Sequence, residues 1–156
     1  LPDVKLIVLL RDPVERALSQ YFHSKRLGLE PLDLEEALEA EPKRLADAEA
    51  VLKRGQAHKS HQQHSYLSRS RYELQLPRFE ALFPSEQLQV LRSEDLFERP
   101  QQFWATVLAF LGLDEFPLPA LGTRYAGLGE AASVSLDLRQ QLRAQLELTY
   151  RWLEQR

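Results

Sequence analysis

The sequence predicts an α/β fold in which strands of a parallel sheet are flanked mostly by helices, and three observations predict it. Residues 4–10 (VKLIVLL) form a continuous apolar, β-branched run of strand length, the pattern of a strand covered on both faces of a parallel sheet. That run ends abruptly at Arg11-Asp12-Pro13 and gives way to helical periodicity. Residues 88–91 (LQVL) are the one other run that reads as a comparable strand. Most of the sheet is therefore either missing or not recognisable, and a strand built for two neighbours is expected to expose an edge that favours aggregation.

The helices follow from spacing and punctuation. Asp12 is placed to cap a helix, Pro13 suits its first position, and Glu15 is placed to complete a capping box. Val14, Ala17, Leu18, Tyr21 and Phe22 mark its buried face, and Gly28 supplies the stop after Leu27. Residues 27–42 carry six acids (Glu30, Asp33, Glu35, Glu36, Glu39, Glu41) and no base, with Leu32, Leu34 and Leu38 suggesting a short amphipathic helix whose acids form a solvated face. Residues 51–72 reverse the sign, with Lys53, Arg54, Lys59, Arg69 and Arg71 beside His58, His61 and His64 and no acid. Residues 66–83 read as a helix broken near Leu76 by Pro77, because an interior proline costs about 3 kcal/mol. Residues 100–111 form a helix with an apolar stripe of Phe103, Trp104, Val107, Leu108 and Leu111, ended by Gly112. Residues 116–129 read as a Pro- and Gly-rich loop, and residues 135–156 as one long closing helix carrying Leu138, Leu142, Leu146 and Leu153.

Composition narrows the function classes. A length of 156 residues, 44% hydrophobic and 28% charged, suits one soluble domain. The net charge of -3 gives no global attraction for nucleic acid or an anionic membrane, so any anion site must come from local Lys, Arg and His. No membrane span or signal peptide is legible. The absence of cysteine excludes disulfides and thiolate metal sites and fits a reducing, cytoplasmic setting. The chain opens at Leu1 and contains no methionine, so it reads as a piece of a longer protein.

The segment RDPVERALSQY, leaving a buried strand, resembles the 3′-phosphate-binding segment of sulfotransferases that use 3′-phosphoadenosine-5′-phosphosulfate. The resemblance continues in order through YFHSKRLGLEPLDLEEAL, SYLSRSRYELQL, FPSEQLQVLRSEDL and FLGL, as in bacterial domains similar to the heparan-sulfate type. It implies a P-loop-NTPase-like sulfotransferase fold, with residues 1–156 a single partial domain, and it assigns Arg11 and Ser19 to the nucleotide's 3′-phosphate. Physical chemistry is compatible. The carboxyl edge of a parallel strand is where open α/β sheets bind ligands, a guanidinium matches phosphate oxygens, and Ser19 lies ~9 Å along the helix from Pro13. The alternative is that Arg11 pairs with Asp12 or Glu15 and Ser19 is a plain surface residue. By the same resemblance Arg69 and Tyr72 lie against the adenosine, and Arg124, in RYAGLG, belongs to a late loop over the 3′-phosphate. Tyr66 and Tyr72 could equally be half-buried packing residues with surface hydroxyls. Ser70 departs from the glycine often found there, and Pro77 is also unusual.

Sulfuryl transfer needs a base for the acceptor and a cation for the leaving nucleotide. His61 and His64 are the candidate bases, since imidazole titrates in the useful range; ordinary solvated histidines are the alternative. His58 is a weaker candidate, and His23 is expected on the exposed side of its helix. The spacing of His61 and His64 also suits metal ligation, but no third ligand is evident and no metal is assigned. No segment matches the family's glycine-bearing phosphosulfate loop with its lysine, and Lys5, within the first strand, cannot replace it; the isolated chain is expected to be inactive. The acceptor, a hydroxyl or amine of a carbohydrate, lipid or small molecule, is not legible. Two other readings stay open: a noncatalytic helical module holding an anionic partner, and another nucleotide-using enzyme such as a kinase-like transferase.

Overall fold

The computed structural model describes residues 3–119 and 129–156. The chain divides into two compact units, Leu1–Arg11 with Glu73–Tyr125, and Asp12–Tyr72 with Ala126–Arg156.

In the first unit, β1 (Leu6–Leu10) pairs in parallel with β2 (Leu88–Arg92), Leu6 opposite Leu88 and Leu10 opposite Arg92. Among the described residues these two strands are the whole sheet. Ile7 and Leu9, on one face of β1, are 37% and 51% exposed while Leu10 on the other is buried, so β1 is covered on one face rather than on both. Between the two strands come a 3₁₀ turn at Tyr72–Leu74 that straddles the unit boundary, the short helix α5 (Leu76–Glu80) and a 3₁₀ turn at Ser85–Gln87. The break expected near Leu76 is present: α5 begins at Leu76 with Pro77 in its first turn, where its missing N–H costs nothing. After β2 come α6 (Asp95–Glu98) and α7 (Pro100–Leu111), the latter ending at Gly112 in the left-handed region (φ 72°). Phe103, Val107 and Leu108 are buried, whereas Leu111 at the end of the expected stripe is 37% exposed. The Lys5 ammonium donates to the Phe110 carbonyl at 2.5 Å, neutralising the negative end of α7.

The second unit is helical. The first helix, α1 (Pro13–Arg26), starts as the sequence indicates: Asp12 Oδ1 accepts from the Glu15 N–H at 3.0 Å and Pro13 occupies the first turn. Glu15 itself turns its carboxylate to the Arg139 guanidinium. Helix α2 (Leu34–Arg44) opens with Asp33, whose N–H donates to Glu36 Oε2 at 3.1 Å. Helices α3 (Ala48–Lys53) and α4 (Lys59–Gln63) follow, then a 3₁₀ turn at Ser68–Ser70. The closing helix is two helices, α8 (Leu136–Gln145) and α9 (Glu147–Glu154), divided at Leu146, whose backbone leaves helical geometry (ψ 15°) while its side chain is buried. Val14, Ala17, Leu18, Tyr21, Ala37, Tyr66, Leu67, Leu142 and Leu146 form one core, with Tyr21 and Tyr66 packed edge to face at 5.8 Å.

Candidate functional site

Arg11 follows directly on the carboxyl end of β1, as the last residue of the first unit, and is exposed. Ser19 lies in the second unit on α1, also exposed, beside the buried stripe of Val14, Ala17, Leu18 and Tyr21. Asp12 is committed to capping α1 and accepts the Tyr150 hydroxyl at 2.8 Å; this bond, together with burial as the larger cause, pushes the Tyr150 phenol up to about 12.

The basic segment of the second unit is not the continuous helix its composition suggests. His58 caps α4: its Nδ1 accepts the His61 N–H at 3.0 Å, which leaves Nε2 to donate to Asp47 Oδ1 at 2.9 Å. His61 is half-buried, and burial first, then Arg69 and His58, lower its imidazole from the ordinary value, so it stays neutral at neutral pH. His64 Nε2 faces the Leu29 carbonyl at 3.1 Å and must carry the proton there, while the buried Nδ1 keeps its lone pair without a hydrogen bond among the described residues. His23 is exposed, as expected from its helix face. Arg69 donates to the His61 carbonyl at 3.1 Å, so the structure brings these two sequence-selected residues together. Tyr72 is 6% exposed, which restricts any ligand to the margin of its ring. Arg124 lies outside the described residues, as does most of RYAGLG. Among the described residues no group of three His, Cys, Asp or Glu side chains is placed to hold a metal, and no helix is long and apolar enough to cross a membrane.

Two acids of residues 27–42 are not solvated. Glu30, 2% exposed, accepts two bonds from Arg44 at 2.5 and 3.1 Å, the Tyr66 hydroxyl at 2.6 Å and the Leu32 N–H at 3.0 Å. Burial acts to raise its pKa, but the bonds from Arg44, Tyr66 and Leu32 outweigh it and bring the carboxyl down to about 2. Tyr66 is therefore not a residue with a surface hydroxyl: burial, then Glu30, push its phenol above the ordinary range. Glu41, 4% exposed, accepts the N–H groups of Leu67 and Ser68, each at 2.8 Å. Sequence reading missed both acids because an acidic run ordinarily marks a wet surface. The available signal was the missing base partner for so many acids beside three apolar leucines, and Arg44 just beyond them.

The architecture agrees with known proteins. The sulfotransferase domain family matches residues 1–118 of this chain. Among solved structures, a sulfotransferase from Alicyclobacillus acidocaldarius superposes with a TM-score of 0.67 over 95% of this chain at 27% identity. This chain spans about half of that protein, 52% of its length. No match is found among curated proteins. The ordered motifs, the parallel β1/β2 pair followed by a capped α1, and the match over residues 1–118 together place the chain in the sulfotransferase domain family.

Proposed function

We propose that the chain forms part of an enzyme that moves a sulfuryl group from 3′-phosphoadenosine-5′-phosphosulfate to a hydroxyl or amine acceptor. The observation that carries this reading is the family match, which spans RDPVERALSQY at the end of a parallel strand. Arg11 and Ser19, both exposed, hold the 3′-phosphate: the guanidinium supplies charge and a fork of donors, the hydroxyl a further donor. Arg69 and Tyr72 meet the adenosine end, and Arg124 adds a cation to the 3′-phosphate. His61 or His64 accepts the acceptor's proton; the lowered His61 pKa, which leaves a neutral imidazole, suits that role.

Within residues 1–156 no glycine-bearing turn with a lysine serves the 5′-phosphosulfate, and Lys5 is held at the end of α7. The chain alone therefore binds nucleotide without transferring sulfate. Calorimetric titration with adenosine 3′,5′-bisphosphate and with ATP tests the reading. Preference for the bisphosphate, weakened about tenfold or more by Arg11→Ala, supports it. Binding of neither nucleotide leaves a noncatalytic module, and preference for ATP a kinase-like transferase.

A further inference from the structure

The strap between α1 and residues 65–70 is built from one unexpected side chain. Arg16 stands one helical turn before Ser19 on α1. Its Nε donates to Ser70 Oγ at 2.7 Å, and its Nη2 donates to the carbonyls of Ser65, at 3.4 Å, and Tyr66. Ser70 Oγ donates in turn to the Pro13 carbonyl at 2.7 Å and is 0% exposed. All of these acceptors are neutral. Burial, the largest influence, lowers the Arg16 pKa, and Arg69 acts in the same direction against Tyr72 and Glu41. A guanidinium so placed is desolvated without a carboxylate directly upon it, a costly way to make a strap that a neutral amide could make in part.

We propose that Arg16 is a positioning residue of the nucleotide site: through Ser70 and the Ser65 and Tyr66 carbonyls it fixes the stretch carrying Arg69 and Tyr72 against the helix carrying Ser19. The inference rests on the nucleotide reading above. Arg16 sets the register between the contact to the 3′-phosphate and the contacts to the adenosine, both within the second unit. The Ser70 hydroxyl is the one side-chain partner in the strap, the other two acceptors being backbone carbonyls.

The test measures affinities of the full-length protein for adenosine 3′,5′-bisphosphate and for adenosine 5′-phosphate, together with melting temperature. Arg16→Gln and Ser70→Gly each weaken the bisphosphate about three- to tenfold, the worth of one or two hydrogen bonds. They weaken adenosine 5′-phosphate less, so discrimination in favour of the 3′-phosphate falls. The double variant binds no more weakly than Arg16→Gln alone, because both changes cut one strap. Unchanged bisphosphate affinity, equal weakening of both nucleotides, or additive losses would overturn the positioning role. Should Arg16→Gln fail to fold, Ser70→Gly decides by the same two affinities. Failure of the unaltered protein to bind the bisphosphate sinks the nucleotide reading and this inference with it, an outcome distinct from unchanged affinity in the variants.

Discussion

The two units solve the problem of burial differently. The second unit closes its core with apolar side chains and then satisfies the polar groups trapped beside it: Glu30 with Arg44 and Tyr66, Glu41 with two backbone N–H groups, Arg16 with Ser70. The first unit, the shorter of the two, leaves more large apolar side chains exposed, Leu9 at 51%, Leu82 at 77%, Phe97 at 77% and Phe116 at 66% among them, although the second also exposes Leu136 at 75% and Leu148 at 67%. Strand pairing joins edges and covers neither face, so a two-stranded sheet depends on layers packed above and below it, whereas a helix cluster can close around a single stripe. Stability in the second unit accordingly depends on a few polar clamps, and the behaviour of the first depends on what its apolar surface meets.

The largest expected effect is at Glu41. Glu41→Ala removes the acceptor of the Leu67 and Ser68 N–H groups and destabilises by about 4 kcal/mol, read by denaturant unfolding. A loss as small as that of a surface change would erase the distinction between the units.

Acid acts next, through Glu30. Its pKa falls on folding from 4.5 to about 2, so its contribution is fully present above the unfolded value and is lost as pH falls through the folded one. That contribution is on the order of 3 kcal/mol. Unfolding followed from pH 6 to pH 2 shows the loss concentrated below about pH 5, and Glu30→Gln flattens it.

Tyr66→Phe removes one of the two donors to Glu30 Oε2, leaving Arg44 as the other, and costs about 1–2 kcal/mol by thermal melting. At the small end, Leu9→Thr in the first unit changes stability by less than about 0.5 kcal/mol and reduces light scattering of the 156-residue chain. A loss near 2 kcal/mol would instead mean that this face is covered in solution.

Catalysis gives a separate check. On the proposed reading with His61 as base, its lowered pKa moves the acid limb of the kcat/KM profile for the full-length enzyme below the ordinary imidazole range. His61→Gln abolishes that limb if His61 is the base. Retention of the limb transfers the role to His64.

Where side chains close in sequence decide the outcome, the reading succeeded. The Asp12 cap, Pro13, the apolar stripe of α1 and Gly112 at the end of α7 are local devices, each recognisable within one or two turns. The helix expected over residues 66–83 was to break near Leu76; its second piece is α5 (Leu76–Glu80), whereas its first piece did not form. The start of that segment is held by distant side chains: Arg16 donates to the Ser65 and Tyr66 carbonyls, and Glu41 accepts the Leu67 and Ser68 N–H groups. In place of the first piece stand 3₁₀ turns at Ser68–Ser70 and Tyr72–Leu74. The candidate site divides along the same line: Arg11 and Ser19 were singled out by the resemblance of one short segment, whereas the tie between Arg69 and His61 and the one between Arg16 and Ser70 join distant segments.

The amino-acid order alone settled the strand, the capped helix after it, the parallel α/β class and the family, because apolar periodicity, caps and a motif series are written in neighbouring residues. Tertiary structure alone decided which acids are buried, which histidine nitrogen carries a proton and which arginine straps the basic segment to α1. Those outcomes depend on desolvation and on hydrogen bonds between residues far apart in the chain, and no local pattern encodes either.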